Sequence, residues 1–207
     1  VSTALRDLPG LEASPAALER LAALEGLVRR WTARINLVAP STLPDLWTRH
    51  IVDSAQLWPL APPGAGLWAD LGAGGGFPGL VVAALAAERG APRVALVEAD
   101  ARKCAFLREA VRQLSLPAVV HHARAETLPP LGADVVSARA LAPLPALLPL
   151  VARHLATDGV ALLPKGRAWQ EEEGAAREAG WRFAAEALPS ATDASARILR
   201  LREIARG

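Results

Sequence analysis

An α/β fold is what this sequence predicts: a doubly wound, seven-stranded, mostly parallel sheet with an N-terminal helical cap. Three observations predict it. From Leu67 onward, short apolar runs alternate with helical stretches, the pattern of parallel strands covered on both faces. The first run leads into a glycine-rich turn, WADLGAGGGFPG (Trp68–Gly79), and a helical stretch follows at once. The last two strand candidates have no helix between them, which gives an antiparallel hairpin at one edge.

Bulk quantities agree with one compact unit. A chain of 207 residues fits a single domain. Hydrophobic residues at 52% and charged residues at 21% supply a sizeable core and exclude a disordered chain. The net charge is only +2, so any nucleic-acid surface has to be a local patch. The single cysteine, Cys104, excludes an internal disulfide and a Cys-rich zinc site. His50, His121, His122 and His154 lack ligand spacing, so no metal is expected. No apolar run reaches the roughly 20 residues of a membrane span. VSTALRDLPG lacks the basic-then-apolar order of a signal peptide. These features predict a cytoplasmic protein away from membranes, and nothing demands more than a monomer.

Residues 1–66 read as the helical cap. Leu18, Leu21, Leu24, Leu27 and Val28 recur at helical spacing. Ser14 can cap this helix, with Pro15 at its first position. A second helix is expected over Leu43–Trp58, starting near Ser41 or Thr42 and ending before the connector Ala61–Gly66. Residues 67–207 form the α/β unit. Its strand candidates are Leu67–Leu71, Arg93–Glu98, Ala118–His122, Asp134–Ala138 and Gly159–Pro164, then the hairpin pair Trp181–Glu186 and Arg197–Ile204. Amphipathic helices are expected near Pro78–Glu88, Ala101–Leu114, Leu144–His154 and Ala168–Ala179. The strand order is not fixed by this pattern.

The glycine turn carries most of the functional information. A buried strand ends in Asp70; Gly72, Gly74, Gly75 and Gly76 follow, and Pro78 opens a helix. Glycine permits positive φ and lets a ligand approach the backbone. Open parallel sheets bind nucleotide-like ligands at this place, outside the carboxyl ends of their strands. Glu98 ends the next strand, where a carboxylate can accept both ribose hydroxyls of an adenosine. A dinucleotide and S-adenosylmethionine both fit this logic. Asp70 favours the second, because a carboxylate is a cost beside a pyrophosphate and a benefit beside a sulfonium cation.

At this point the sequence resembles the glucose-inhibited division protein B family, bacterial methyltransferases of small-subunit ribosomal RNA. The matching segments are RWTARINL (Arg30–Leu37), RHIVDS (Arg49–Ser54), DLGAGGGFPG (Asp70–Gly79), VEADARKCAFL (Val97–Leu107), RAE (Arg124–Glu126), SARALAPL (Ser137–Leu144) and PKG (Pro164–Gly166). The resemblance implies a Rossmann-like S-adenosylmethionine-dependent methyltransferase fold. It implies methyl transfer from S-adenosylmethionine to N7 of a guanine in 16S ribosomal RNA, within the small subunit or its precursor. It places the cofactor against Gly72, Gly74 and Phe77 in the turn. Glu98, Ala99 and Asp100 would hold the ribose and adenine side, Ala125 and Glu126 would border the adenine, and Arg139 would sit at the methionine end or the mouth. RNA contacts are expected from Arg139, Lys165, Arg167, His50 and Arg124.

Guanine N7 has an in-plane lone pair and no proton. In-line attack therefore needs no general base, positioning can supply much of the rate, and no catalytic residue is nominated. His50 and Asp53 lie three apart and share a helix face, either closing the site or bridging cap and sheet. Cys104 reads as a buried small hydrophobe, and Trp31, Trp47, Trp58 and Trp68 as packing between cap and sheet. Competing readings are a methyltransferase for another RNA, a small molecule or a protein, a nicotinamide oxidoreductase, and a non-catalytic RNA-binding or assembly protein.

Overall fold

A computed structural model describes Leu5 and residues 7–207; Val1–Ala4 and Arg6, part of the segment read as lacking a signal peptide and as the start of the cap, lie outside the described residues. Helix α1 (Pro15–Thr32) begins as expected. Ser14 Oγ accepts the Ala17 N–H at 3.1 Å, and Pro15 fills the first position. Leu18, Leu21, Leu24, Leu27 and Val28 form its buried stripe.

The expected second helix is not a continuous α-helix. The chain makes a 3-10 turn at Pro40–Thr42, a π-helical turn at Trp47–Val52, a short α2 (Asp53–Ala55) and a 3-10 turn at Trp58–Leu60. The cause is tertiary. In this path the Arg49 carbonyl, His50 and Asp53 all reach one side chain of the sheet domain, Arg139. Single π turns are a recurrent device for re-aiming side chains at functional sites.

The seven strands are β1 (Leu67–Leu71), β2 (Arg93–Glu98), β3 (Ala118–His122), β4 (Ala133–Ser137), β5 (Leu155–Lys165), β6 (Trp181–Pro189) and β7 (Arg197–Arg206). Their order is β3-β2-β1-β4-β5-β7-β6. The first five are parallel, and β7 pairs antiparallel with both β5 and β6. The chain winds outward from β1 to β3 and then returns to β4 on the other side of β1. That reversal puts the topological switch point between β1 and β4, where such sheets open a crevice. β5 starts at Leu155, directly after the preceding helix and earlier than Gly159, because Leu155 pairs with Ala133 before the register shifts.

The connecting helices are α3 (Gly79–Ala86), α4 (Ala101–Gln113), α5 (Leu144–His154) and α6 (Trp169–Glu178). α3 departs from the amphipathic expectation, since all eight of its residues are buried. It lies against β1 and β2, and α1 covers its outer side, so no face remains for water. Alternate strand residues feed two cores. Trp68, Val94, Leu96, Val135 and Leu162 join the cap, α3 and α4. Ala69, Leu71, Val97, Val136 and Leu163 join α5, Trp181 and Phe183. Trp31 meets Phe106 edge-on with ring centroids 5.8 Å apart, and Trp47 and Trp58 pack on the first core. Among the described residues no helix is long and apolar enough to cross a membrane.

Candidate active site

Asp70 organises the glycine turn from beneath. Its Oδ2 accepts the Gly79 N–H at 2.9 Å, and its Oδ1 accepts the Ser137 hydroxyl at 2.8 Å. The Trp68 indole N–H donates to the same Ser137 oxygen at 2.8 Å. Asp70 is fully buried, and that burial pushes its carboxyl up to about 6. Asp70 does not line the main cleft but lies buried beneath the turn. It pins the start of α3 to β1 and β4. Ser137, its partner, stood in a matched segment, but nothing local marked its role.

The turn itself has the shape expected. Gly72, Gly74 and Gly76 have φ of +67°, +54° and +86°, the left-handed region where a side chain is strained. A Cβ at Gly74 would meet only the Gly72 carbonyl, at 3.6 Å, so a ligand can lie against this backbone. A Cβ at Gly72 would stand 2.6 Å from Leu141, and one at Gly75 would stand 2.7 Å from the Leu37 carbonyl. The cap therefore rests on the turn at one side, and the loop after β4 covers it at the other.

Glu98, at the end of β2, closes one side of the turn. Its two carboxylate oxygens accept the Gly74 N–H at 2.8 Å and the Asp100 N–H at 2.7 Å. Asp100 in turn caps α4 by accepting the Arg102 and Lys103 N–H groups, which holds its carboxyl below the usual range. The Ala99 carbonyl accepts from His122 Nε2 at 3.1 Å. The thiol of the buried Cys104 donates to the Glu98 carbonyl, as a packed rather than a reactive cysteine would. After β3, Ala125 is buried and its carbonyl accepts from His154 Nε2 at 2.8 Å, while Arg124 and Glu126 are exposed.

The main cleft, about 820 Å³, opens at the ends of β1, β4 and β5 and runs beneath the cap and the β6–β7 loop. Of the expected residues it gathers Gly72, Gly74, Phe77, Arg139, Lys165 and His50. Glu98, Ala99, Asp100, Ala125, Glu126, Arg124 and Arg167 do not line it; Glu98 to Asp100 and Arg124 to Glu126 follow β2 and β3 instead. Thr42, Arg49, Lys103, Leu141, Thr192 and Arg197 were not expected as site residues and do line it, together with Asp53, which was read as closing the site or bridging cap and sheet. They come from five separate stretches of the chain, including helix α4 and the start of β7, so no local motif announced them together.

Arg139 is the hub of this cleft. Its Nη1 donates to the Arg49 carbonyl and to Asp53 Oδ2, both at 3.2 Å, and its Nη2 lies 2.7 Å from His50 Nδ1. A guanidinium cannot accept, so His50 Nδ1 carries the lone pair. His50 Nε2 then donates to Thr42 Oγ1 at 2.8 Å, and the Thr42 hydroxyl donates to the Ala39 carbonyl. Burial, then the Arg139 and Arg49 charges, lowers the His50 pKa to about 4. Both ring nitrogens of His50 are engaged within the protein. The Arg139 guanidinium also lies 5.3 Å from the Phe77 ring centre, a cation–π distance.

Lys165 is likewise committed. Its Nζ donates to the Ala142 carbonyl at 3.0 Å and to Glu172 Oε2 at 2.8 Å, and its side chain is only 9% exposed. Glu172 Oε2 also accepts the Leu144 N–H. This pair ties the loop after β4 to α6, so the expected phosphate contact becomes a structural tie. Arg49, Lys103 and Arg197 line the cleft with no carboxylate within ion-pair distance among the described residues. Arg167 is exposed just after the end of β5.

These residues fit S-adenosylmethionine better than a dinucleotide. A pyrophosphate needs the first N–H groups of the helix after the turn. Here the Gly79 N–H is taken by Asp70, the Leu80 N–H by the Gly76 carbonyl and the Val81 N–H by the Pro78 carbonyl. The exposed backbone at Gly74 and the carboxylate beyond it suit an adenosine without phosphates. The first three N–H groups of α3 are therefore not free for a pyrophosphate.

Sheet order and turn together define a class: a Rossmann-like methyltransferase of the S-adenosylmethionine-dependent kind. Solved structures agree on the fold. The crystal structure of M. jannaschii TYW2 in complex with AdoMet aligns with a TM-score of 0.60 at 14% identity, covering 85% of this chain and 80% of that one. A SAM-dependent methyltransferase from Aquifex aeolicus aligns at 0.57 and 14%, covering 86% and 96%. Sequence relatives narrow the class. The protein named Ribosomal RNA small subunit methyltransferase G of Rhodospirillum centenum is 54% identical over 188 residues, 91% of this chain and 85% of its own. Its namesake from Cereibacter sphaeroides is 51% identical over 197 residues, 94% of each. The family model for rRNA small subunit methyltransferase G matches residues 17–198. The chain belongs to that family.

Proposed function

We propose that this chain transfers a methyl group from S-adenosylmethionine to N7 of a guanine in 16S ribosomal RNA. One observation carries the reading: a glycine turn fit for an adenosine cofactor opens into the same cleft as Arg49, Lys103 and Arg197, three cations with no carboxylate partner among the described residues. RNA affinity comes mainly from cations that can neutralise phosphates. Membership of a family whose members are named for small-subunit rRNA methylation supports this acceptor.

When bound, S-adenosylmethionine supplies an electrophilic methyl group on a sulfonium. The remaining work falls to the chain. In this reading Gly72, Gly74 and Phe77 seat the cofactor, and Glu98 accepts the ribose hydroxyls in addition to its two backbone N–H groups. Ala99 and Asp100, with Ala125 and Glu126, border the adenine, and Arg139 meets the methionine end. The acceptor atom carries no proton, so none of these residues has to remove one. That suits a cleft whose buried histidine uses its lone pair on an arginine. Arg49, Lys103 and Arg197 hold phosphates, with Arg124 and Arg167 extending the basic rim. The cap (1–66) and the sheet unit (67–207) act as one body that works as a cytoplasmic monomer.

The test is transfer from labelled S-adenosylmethionine to small ribosomal subunits from a strain lacking the enzyme, beside naked 16S rRNA. The modified base is located by cleavage at N7-methylguanine. Label at one guanine is the expected result. Cofactor binding without label on either substrate would move the reading to another methyl acceptor.

A further inference from the structure

His50, in the π-helical turn of the cap, and Asp53, the first residue of α2, both bond to Arg139. We propose that His50 and Asp53 are positioning residues that hold the Arg139 guanidinium so that its remaining edge receives the carboxylate of the cofactor's methionine moiety. This rests on the reading of the cleft as an S-adenosylmethionine site.

Donor counting carries the proposal. A guanidinium has five N–H groups. The two on Nη1 go to the Arg49 carbonyl and Asp53 Oδ2, and one on Nη2 goes to His50 Nδ1. What is left is the Nε–H and the second Nη2–H, the pair suited to a bidentate carboxylate. Every engaged donor points to the cap, while Phe77, in the glycine turn, lies beneath the guanidinium. The clamp is itself held from behind. His50 is fixed by Thr42 and the Ala39 carbonyl, and its ring lies 5.0 Å from that of Phe77. Asp53 Oδ1 accepts the Thr192 hydroxyl at 2.6 Å and the Gln56 amide at 2.9 Å, which anchors it to the β6–β7 loop. An arginine left to its own rotamers would lose side-chain entropy on meeting a carboxylate, and a clamped one has already lost it.

The test uses the full chain and two probes that differ by one group: S-adenosylhomocysteine and its decarboxylated analogue, which lacks only the carboxylate. Calorimetry gives their affinities for the wild type, His50→Ala, His50→Asn and Asp53→Asn. The wild type is expected to prefer the carboxylate-bearing probe by about tenfold or more. His50→Ala should lose most of that preference by weakening S-adenosylhomocysteine alone, with the decarboxylated probe held within about twofold. His50→Asn restores an acceptor near the Nδ1 position and should recover the preference. Asp53→Asn should fall between. Equal weakening of both probes in His50→Ala would mark the clamp as merely structural and overturn the proposal. An unchanged preference would overturn it as well. Failure of the wild type to bind either probe would instead sink the cofactor reading.

Discussion

The two ends of the site are built differently. At the β2–β3 end, Glu98 and Asp100 spend their carboxylates on backbone N–H groups within a few residues or across one turn. At the β4–β5 end, Arg139, His50, Asp53 and Thr192 meet as side chains brought from segments 86 to 139 residues apart. The first end is a property of strand ends and helix caps, and it survives wherever that sheet forms. The second exists only when cap, sheet and hairpin loop are docked together. In the proposed function the first end seats the adenosine part of the cofactor, and the second takes the acceptor and the methionine end.

The largest break is expected at the base of the turn. A Cβ on Gly79 would lie 2.3 Å from Leu96 Cδ2 and 2.7 Å from Asp70 Oδ2. Gly79→Ala should cost about 3 kcal/mol or more through overpacking and abolish cofactor binding, read by denaturant unfolding and calorimetry. A stable, binding-competent variant would show that the turn does not depend on this packing.

A pH series separates the ends. Asp70 has an ordinary value of 3.8 and reaches about 6 in the fold. The folded state therefore holds the extra proton, and this group's contribution falls by about 3 kcal/mol as pH rises from 4 to 6. His50 drops from 6.5 to about 4. Here the unfolded state holds the extra proton, and the contribution rises by about 3 kcal/mol over pH 4 to 6.5. The two slopes oppose each other in the wild type. Urea unfolding of Asp70→Asn should show stability rising with pH in this window, and that of His50→Asn should show it falling. Parallel profiles for both variants would contradict this assignment of the buried groups.

A smaller effect is expected at Glu98. Glu98→Ala removes the acceptor for two N–H groups and for the proposed ribose contact. Cofactor affinity should drop by about 1–3 kcal/mol, measured by calorimetry, with Glu98→Gln milder. Unchanged affinity in a folded Glu98→Ala would remove it from the site. The smallest effect concerns salt. Arg197→Ala should lower the salt slope of RNA binding by about one. Lys165→Met, which breaks a buried pair, should leave the slope alone while lowering thermal stability. The reverse pattern would return Lys165 to the RNA surface.

The β2–β3 end was largely legible before any coordinates. Glu98 is read from its place at a strand end, and the first three strands run over the spans their apolar pattern predicts. The other end was legible only in pieces. Arg139 and Lys165 stand out in sequence, yet one is clamped by the cap and the other neutralised by Glu172. Asp70 was read for its charge beside a cationic ligand; its bracing role was not visible, because its partners Ser137 and Gly79 come from separate elements. α3 was read as amphipathic, yet its run GLVVAALA is apolar on every side, which is itself the mark of a helix covered all round.

By itself, the sequence determined what local physics dictates: the alternation of strand and helix, the Ser14 cap, the glycines that permit positive φ, and the carboxylate at the end of β2. Only the tertiary structure decided the strand order, the π-helical path of Trp47–Val52 and which charges remain free at the rim. Hydrogen-bonding patterns along a chain act between near neighbours and leave a mark in spacing. The partner of a buried charge is chosen by which distant segments dock beside it, and spacing holds no record of that choice.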